Sequence, residues 1–289
     1  MASLRDMRKR IASVKNTQKI TNAMKMVAAA RLRRAEESVT AARPYSDKMR
    51  QVVVSLASRT DPKAHPMLQA REVKKILLIH VTADRGLCGG FNANLNRRAE
   101  AFVREMAAKG LSVDLVTVGR KGNDYFRRRK VAIPERFVNV MGKIDMELAG
   151  SIADVAVSKF QTGEYDEVYV LYNRFRTAAS QILTLRKLLP ASAELEGEPL
   201  PRAPEYLYEP SEDELLSDIL PRYIKVQIYT SLLDSVASEL GARMTAMEAA
   251  TSNADEMIRK LTLKLNRMRQ EIITKELMEI VGGAEALKG

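Results

Sequence analysis

A glycine-rich segment at residues 83–92, ADRGLCGGFN, contains the residue types best suited to binding chemistry. Glycines in a turn between a strand and a helix can present backbone N–H groups to a phosphate. The spacing here is not G-x-G-x-x-G, and G-x-x-x-x-G-K-[ST] occurs nowhere in the chain. The same glycines are explained by a tight turn that needs positive φ and a closely packed helix. We favour the tight turn over a nucleotide site.

Cys88 in this turn is the only cysteine of the chain, which also has two histidines, His65 and His80. A catalytic thiol needs a histidine partner, and His80 lies in an apolar run that predicts a buried strand. One cysteine and two histidines are also too few for a His/Cys zinc site. We interpret Cys88 as a buried thiol and expect no catalytic residue, no bound metal and no cofactor.

Basic residues are concentrated at the N-terminal end. The net charge is +11, and residues 1–34 account for +9 of it, with ten Lys/Arg and one acidic residue. Most charge runs are solvated faces, but like charges along one helix repel each other. We therefore expect an acidic partner surface to compensate this basic face, which includes Lys9, Arg10, Arg31, Arg33 and Arg34.

Both ends of the chain have helical periodicity. The C-terminal apolar positions alternate spacings of 3 and 4, which predicts a helix over about residues 211–284 that packs against another helix. These positions are Tyr223, Val226, Thr230, Leu233, Ala237, Leu240, Met244, Met247, Thr251, Ala254, Ile258, Leu261, Leu265, Met268 and Ile272. Its last turns, with Leu277, Ile280, Val281, Ala284 and Leu287, are expected to extend beyond the partner helix.

The N-terminal helix, predicted to run to about Ser58 with Pro44 as a possible kink, is the natural partner. Its seam is less regular, because Gln18 and Thr21 stand where apolar residues are expected. We predict that the seam follows Leu4, Met7, Ile11 and Val14 and then Ile20, Ala23, Met24 and Val27.

The middle of the chain alternates strands and helices, which indicates a small Rossmann-like parallel sheet. Strands are predicted at 75–82, 113–118, 136–140 and 167–172, with an added edge strand at 180–188; helices are predicted at 91–109, 123–129 and 147–161. The fold class is thus α/β, a long antiparallel coiled coil of the terminal helices plus a Rossmann-like parallel-sheet domain.

These elements divide the chain into an N-terminal coiled-coil helix (1–58), an α/β domain (73–190), a Pro- and Glu-rich linker (191–210) and a C-terminal coiled-coil helix (211–289). No apolar run is long enough to span a membrane. The N-terminal segment has charge but no apolar core, so we expect no secretory signal.

Three long blocks resemble the gamma subunit of the F-type ATP synthase. They are RIASVKNTQKITNAMKMVAAARLRRAEE near the N-terminus, TADRGLCGGFNANL in the middle, and SELGARMTAMEAATSNADEMI through LTLKLNRMRQEIITKELMEIVGGAEAL near the C-terminus. They follow one another in the family's order over nearly the full length. The chain resembles the bacterial form, since a single cysteine excludes the paired-cysteine insert of the chloroplast form.

The resemblance implies a central rotor shaft, which couples rotation of a c-ring to conformational change in beta subunits during ATP synthesis or hydrolysis and hydrogen-ion transport. The shaft would lie inside a hexamer of alpha and beta subunits and rest on epsilon and the c-ring. It would be peripheral to the cytoplasmic face of a bacterial plasma membrane. The nucleotide-binding catalysts would be the beta subunits, so this chain would be a non-catalytic subunit.

The resemblance also implies individual site residues. Contacts with a beta subunit fall on Met24, Arg269, Gln270 and Thr274, while the basic face would meet acidic stator surfaces. A foot loop near the c-ring would comprise Asp84, Arg85, Gly86, Gly89 and Gly90.

Two other functions remain open from the residues alone. A zipper with a basic arm would bind nucleic acid, but the basic residues share their helix with an apolar seam, and aromatic residues are only 5% of the chain. A nucleotide-dependent enzyme built on the middle domain would lack both standard glycine signatures.

Overall fold

The computed structural model describes residues 4–57, 65–191 and 212–286. In chain order the elements are α1 (Leu4–Ala57), β1 (Lys75–Val81), α2 (Phe91–Ala107), β2 (Ser112–Val118), α3 (Arg120–Arg127), β3 (Glu135–Phe137), α4 (Met146–Gln161), β4 (Glu167–Thr177), β5 (Ser180–Leu189) and α5 (Glu212–Ala286). The predicted linker at 191–210 lies outside the described residues except for Ala191.

Contacts divide the chain into two units, each described separately below. The helix-pair unit combines Met1–Val27 with Met244–Gly289, and the sheet unit comprises Ala28–Arg243. Both α1 and α5 have residues in each unit.

The sheet unit is built on five strands in the order β3-β2-β1-β4-β5. β1 pairs in parallel with β2 and β4, β2 pairs in parallel with β3, and β5 is antiparallel to β4. The run KILLIHV forms the central strand β1. Nearly all its side chains are buried, as expected for a parallel sheet covered on both faces. The predicted parallel sheet with an added edge strand is therefore confirmed.

Two apolar cores cover the two faces of this sheet. One contains Leu77, Ile79 and Val81 together with α4, the end of α1 and the start of α5. The other contains Ile76 and Leu78 together with α2 and α3. The alternation along β1 sends successive side chains to opposite cores, as strand geometry requires.

Several predicted boundaries were wrong, among them the start of α3, the end of β3 and the end of β4, which continues from the predicted residue 172 to Thr177. α3 begins three residues before the predicted Asn123, since Gly119 turns the chain immediately after β2. Gly119 has φ +95, and a Cβ there would lie 2.0 Å from the carbonyl oxygen of Thr82, so only glycine fits. The strand predicted at 136–140 ends at Phe137, because Asn139 adopts φ 62 and its N–H leaves the sheet to bond Asp84.

In the helix-pair unit, α1 and α5 run antiparallel. Gln18 donates to Asp255, the Thr21 and Thr251 hydroxyls are 2.8 Å apart, and Lys25 lies 2.6 Å from Glu248. Partner numbers on α5 fall as those on α1 rise, which defines the direction.

The seam predicted on α5 is confirmed in this unit. Met247 and Ala254 are buried, and the later seam positions are half-buried while the residues between them are exposed. These later positions are Ile258, Leu261, Leu265 and Met268. Ile272, the last predicted seam position, is 39% exposed.

The seam predicted on α1 was right at Leu4, Met7, Ile11, Val14 and Met24 and wrong at Ile20, Ala23 and Val27. Ile20 is 60% exposed and Val27 is 53% exposed, and Ala23 is also exposed. A helical stripe that passes through Val14 continues at positions 18 and 21. Gln18 and Thr21 occupy those positions and are accommodated by polar partners on α5.

His80 is a fully buried titratable group in the middle of β1. Its Nε2 lies 2.9 Å from Asn96 Oδ1, and its ring packs edge-on against Phe126. Burial lowers the pKa of His80 to about 4, while the hydrogen bond to Asn96 acts in the opposite direction. The folded protein therefore holds this imidazole neutral.

We expect stability to fall on mild acidification because of His80. The unfolded chain takes up a proton near pH 6.5 and the folded chain only near pH 4, so stability is lost as pH falls through this window. Between pH 7 and pH 5 the loss should be about 2 kcal/mol. Urea titrations at both pH values measure it, and His80→Gln, which keeps a donor for Asn96, should lack this component. An equal pH response in both proteins would contradict the assignment.

Candidate functional site

Residues 269–283 of α5 form a stretch of helix that is exposed on every face. All residues from 269 to 283 are exposed, including Arg269, Gln270 and Thr274. Gln270 and Thr274 lie one turn apart and share a shallow depression with Arg267, Glu271, Lys275 and Met278. The three predicted contact residues are thus available to another protein.

Large apolar side chains are also exposed at this end of α5. Leu277 is 57% exposed, Ile280 is 71% exposed and Val281 is 53% exposed. The predicted apolar extension is confirmed at these positions; Leu287 and the side chain of Ala284 lie outside the described residues. Contiguous exposed apolar side chains mark an interaction surface.

Met24 lies elsewhere in the helix-pair unit. It is half-buried beside the ion pair of Lys25 and Glu248. The register of that pair places Met24 opposite α5 residues about 20 positions before Arg269, roughly 30 Å along the helix. The structure therefore does not bring Met24 together with the other three predicted contact residues.

The predicted basic residues are all exposed on α1. In the helix-pair unit, Lys9 and Arg10 lie away from the seam. In the sheet unit, Arg33 is 3.5 Å from Glu37 in a solvent-exposed pair, and such pairs contribute about 0–1 kcal/mol. Local pairing thus compensates little of this charge.

The segment from Asp84 to Gly90 closes on itself and on the start of α3. Gly89 has φ 56, and Leu87 has φ 66 with a side chain that is 63% exposed. The Asn92 side chain accepts from Ala83 N–H and donates to the Arg85 carbonyl oxygen. These bonds support a tight turn, in agreement with the interpretation favoured from the sequence.

Asp84 has a structural role that its position in the motif does not reveal. Its Oδ1 accepts from the backbone N–H of Arg120 at 3.0 Å and of Asn139 at 2.7 Å, and its Oδ2 accepts from Met141 N–H at 3.0 Å. One carboxylate thereby joins the end of β1 to α3 and to the loop after β3. Arg85, Gly86, Gly89 and Gly90 complete the predicted foot loop, of which Arg85, Gly89 and Gly90 are exposed.

Cys88 is buried behind this turn. Burial raises the pKa of its thiol, Glu239 adds to that effect, and Arg243 opposes it. A thiol with a raised pKa is a poor nucleophile, and His80 is engaged with Asn96. This arrangement supports the buried-thiol interpretation.

Within the described ranges, no cluster of three or more His, Cys, Asp or Glu side chains could hold a metal ion. Nor does any described helix have a stretch long and apolar enough to cross a bilayer.

The polar partners of the seam on α5 were not predicted from the sequence. Asp255 and Glu248 bond Gln18 and Lys25 from the facing helix. A signal was present, because Gln18 and Thr21 interrupt an apolar stripe, and polar side chains that pack in such a seam need hydrogen-bond partners.

Asp84→Asn should destabilise the sheet unit by about 1–3 kcal/mol, because an amide offers one acceptor oxygen to three N–H donors. Chemical denaturation of the purified chain measures the effect. Asp124→Asn, a half-buried carboxylate on α3, is the matched control and should change stability less. Equal effects of the two substitutions would show that the three hydrogen bonds of Asp84 do not stabilise the sheet unit.

Comparisons with known proteins agree with the resemblance. The protein-family model described as ATP synthase matches residues 3–287. The ATP synthase gamma chain of Geobacter metallireducens is 52% identical over 289 residues, with 100% of both chains covered. The gamma chain of Pelotomaculum thermopropionicum is 49% identical over 289 residues, again with 100% of both covered.

Solved structures are similar as well. A chain from the central stalk and c-ring of the Tetrahymena thermophila mitochondrial ATP synthase has a TM-score of 0.62 and 26% identity, covering 80% of this chain and 99% of that chain. A chain of the Euglena gracilis mitochondrial ATP synthase has a TM-score of 0.73 and 22% identity, covering 98% and 94%, and shows the same fold. The match over almost the whole chain, with about half of all positions identical to curated gamma chains, shows that this chain belongs to the ATP synthase gamma-chain family.

Proposed function

We propose that the chain is the central rotor shaft of a rotary proton-translocating ATP synthase. It couples rotation of a c-ring to conformational change in the catalytic sites of beta subunits and does not itself bind the reacting nucleotide. The observation that carries this proposal is the antiparallel pair of α1 and α5, from which α5 continues past Met268 with exposed residues.

Asymmetry of the helix pair supplies the mechanism. α1 and α5 are unequal in sequence and in length, so three beta subunits arranged around them would each face a different surface. A partner shifts a conformational equilibrium only through contacts that differ between its states. Rotation of an asymmetric pair presents those differing contacts to each beta subunit in turn.

The exposed end of α5 fits the contact with a beta subunit. Arg269, Gln270 and Thr274 supply a fixed charge, an amide and a hydroxyl, all of them exposed. Exposed polar contacts of this kind are weak, which suits an interface that is broken and remade at every step. Met24 would contact the stator at a separate level.

Assembly with the remaining subunits follows from the family. Alpha and beta subunits would surround the helices, and epsilon and the c-ring would bind the sheet unit, as central-stalk relatives are solved with F1 and c-ring parts. Exposed basic residues of α1 would face acidic stator surfaces. The chain would then be peripheral to the cytoplasmic face of a bacterial membrane, attached through the c-ring.

Co-expression tests this function. The chain is produced with alpha and beta subunits of Geobacter metallireducens, the source of a 52% identical gamma chain. We expect a 3:3:1 complex that hydrolyses ATP, and no ATP turnover by the isolated chain. Turnover by the isolated chain would support a nucleotide-dependent enzyme, and tight, salt-dependent DNA binding would support a nucleic-acid protein.

Replacing Arg269, Gln270 and Thr274 together by alanine should slow ATP hydrolysis by the complex about 10- to 150-fold, because three contacts of about 0.5–1 kcal/mol each are lost. All three are exposed, so the chain should fold and assemble normally. The matched control replaces Arg259, Thr262 and Asn266, three exposed residues of similar chemistry on α5. A control that slows the enzyme equally would argue against a specific contact.

A further inference from the structure

The turn between β4 and β5 approaches the backbone of α5 in the sheet unit. A Cβ added to Gly241 would lie 3.0 Å from the carbonyl oxygen of Ala178 and 3.1 Å from its Cα. Gly241 is buried and has no side chain, so nothing separates its backbone from that of Ala178. A Cβ at residue 241 would therefore require the turn to move by a few tenths of an ångström.

A buried hydrogen bond lies one turn of α5 away. Ser238 Oγ donates to the carbonyl oxygen of Asn173 in β4 at 2.9 Å. Ser238 has no exposed surface and Asn173 is 6% exposed. Water cannot readily replace either partner, so separating β4 from α5 would leave both groups unsatisfied.

A third contact includes α1. The Arg43 guanidinium donates to the carbonyl oxygen of Phe175 in β4 at 3.3 Å and lies 3.5 Å from Asp234 Oδ1 in α5. Burial raises the pKa of Asp234, whereas the Arg43 charge and the Phe175 N–H lower it. One side chain of α1 thus holds both a strand and the other long helix.

A second bridge repeats this arrangement on the neighbouring strand. Arg186 of β5 donates to Gln227 of α5 at 2.6 Å, and the Gln227 amide donates to Ser46 of α1 at 3.4 Å. Both strands of the hairpin are therefore connected to both long helices through side chains.

We infer that the β4–β5 hairpin is the rigid joint through which torque passes between the sheet and the two long helices. This inference rests on the rotor function proposed above. Arg43, Asp234 and Ser238 are positioning residues that hold the hairpin, and Gly241 permits the backbone contact. The hairpin contacts both long helices at several positions, so a turning force on the sheet is transmitted to both helices rather than to one.

A reversible cross-link tests whether the joint is rigid. The Cβ atoms of Ala178→Cys and Gly241→Cys would be at most about 4.6 Å apart, since a C–C bond of about 1.5 Å separates Cβ from Cα. Disulfides span Cβ separations of about 3.5–4.5 Å, so a small shift suffices. The doubly substituted chain is assembled with its partner subunits in vesicles, oxidised, and then reduced.

Oxidation should close the cross-link and leave ATP hydrolysis and gradient-driven ATP synthesis within about twofold of the reduced enzyme. Inhibition that reduction reverses would show that the hairpin slides on α5 during turnover and would overturn the inference. Failure of the two cysteines to join would also contradict it. Ala178→Cys alone, oxidised in parallel, controls for other thiol chemistry.

A second variant weakens the joint without leaving a buried charge. Arg43→Met, Asp234→Asn and Ser238→Ala together should lower ATP synthesis against a gradient at least fivefold while hydrolysis without load stays within about twofold. A merely structural role would lower both rates equally through poorer assembly, and that result would refute the joint. Glu105→Ala, which removes an ion pair to Arg98 within α2, is the control. If the unsubstituted chain failed to assemble with its partner subunits, that result would refute the proposed function instead.

Discussion

The apolar seam between α1 and α5 is the constraint on which the helix-pair unit depends. A long isolated helix in water gains little from propensity alone, and most helical stability comes from packing an apolar face. The seam residues of α5 from Met247 to Met268 lose their exposure only because α1 covers them. The antiparallel direction then follows from the polar pairs, whose numbering runs in opposite senses on the two helices.

Polar residues within this seam select one register at some cost in stability. An apolar stripe alone lets two helices slide by a heptad, since each step buries similar surface. Gln18 facing Asp255 and Thr21 facing Thr251 are satisfied in one alignment and would be left unpaired in others. A rotor shaft needs a single alignment, because slippage would change the surface that each surrounding subunit meets.

Most of the fold was predictable because its signals are local. The seam of α5 and the strands of the sheet follow from spacing and apolar runs within each segment. Ile20 and Val27 are apolar but lie off the α1 seam, because the spacing continues the stripe from Val14 to position 18. The clamp at Asp84 could not be predicted, since its backbone donors lie 36, 55 and 57 residues away and only the folded sheet brings them together.

The end of α5 beyond Met268 gains little stability from contacts within its own chain, because its residues from 269 to 283 are exposed. Ion pairs one turn apart, Lys275 with Glu279 within this end and Arg267 with Glu271 at its start, contribute about 0.3–0.5 kcal/mol each. Fifteen exposed residues from 269 to 283 form a helix of marginal stability in water. Burying the exposed side chains of Leu277, Ile280 and Val281 would contribute about 1.5–3 kcal/mol for each residue fully covered. Packing against surrounding subunits would therefore outweigh the local ion pairs, so the partners that this surface contacts would also complete the fold of the helix.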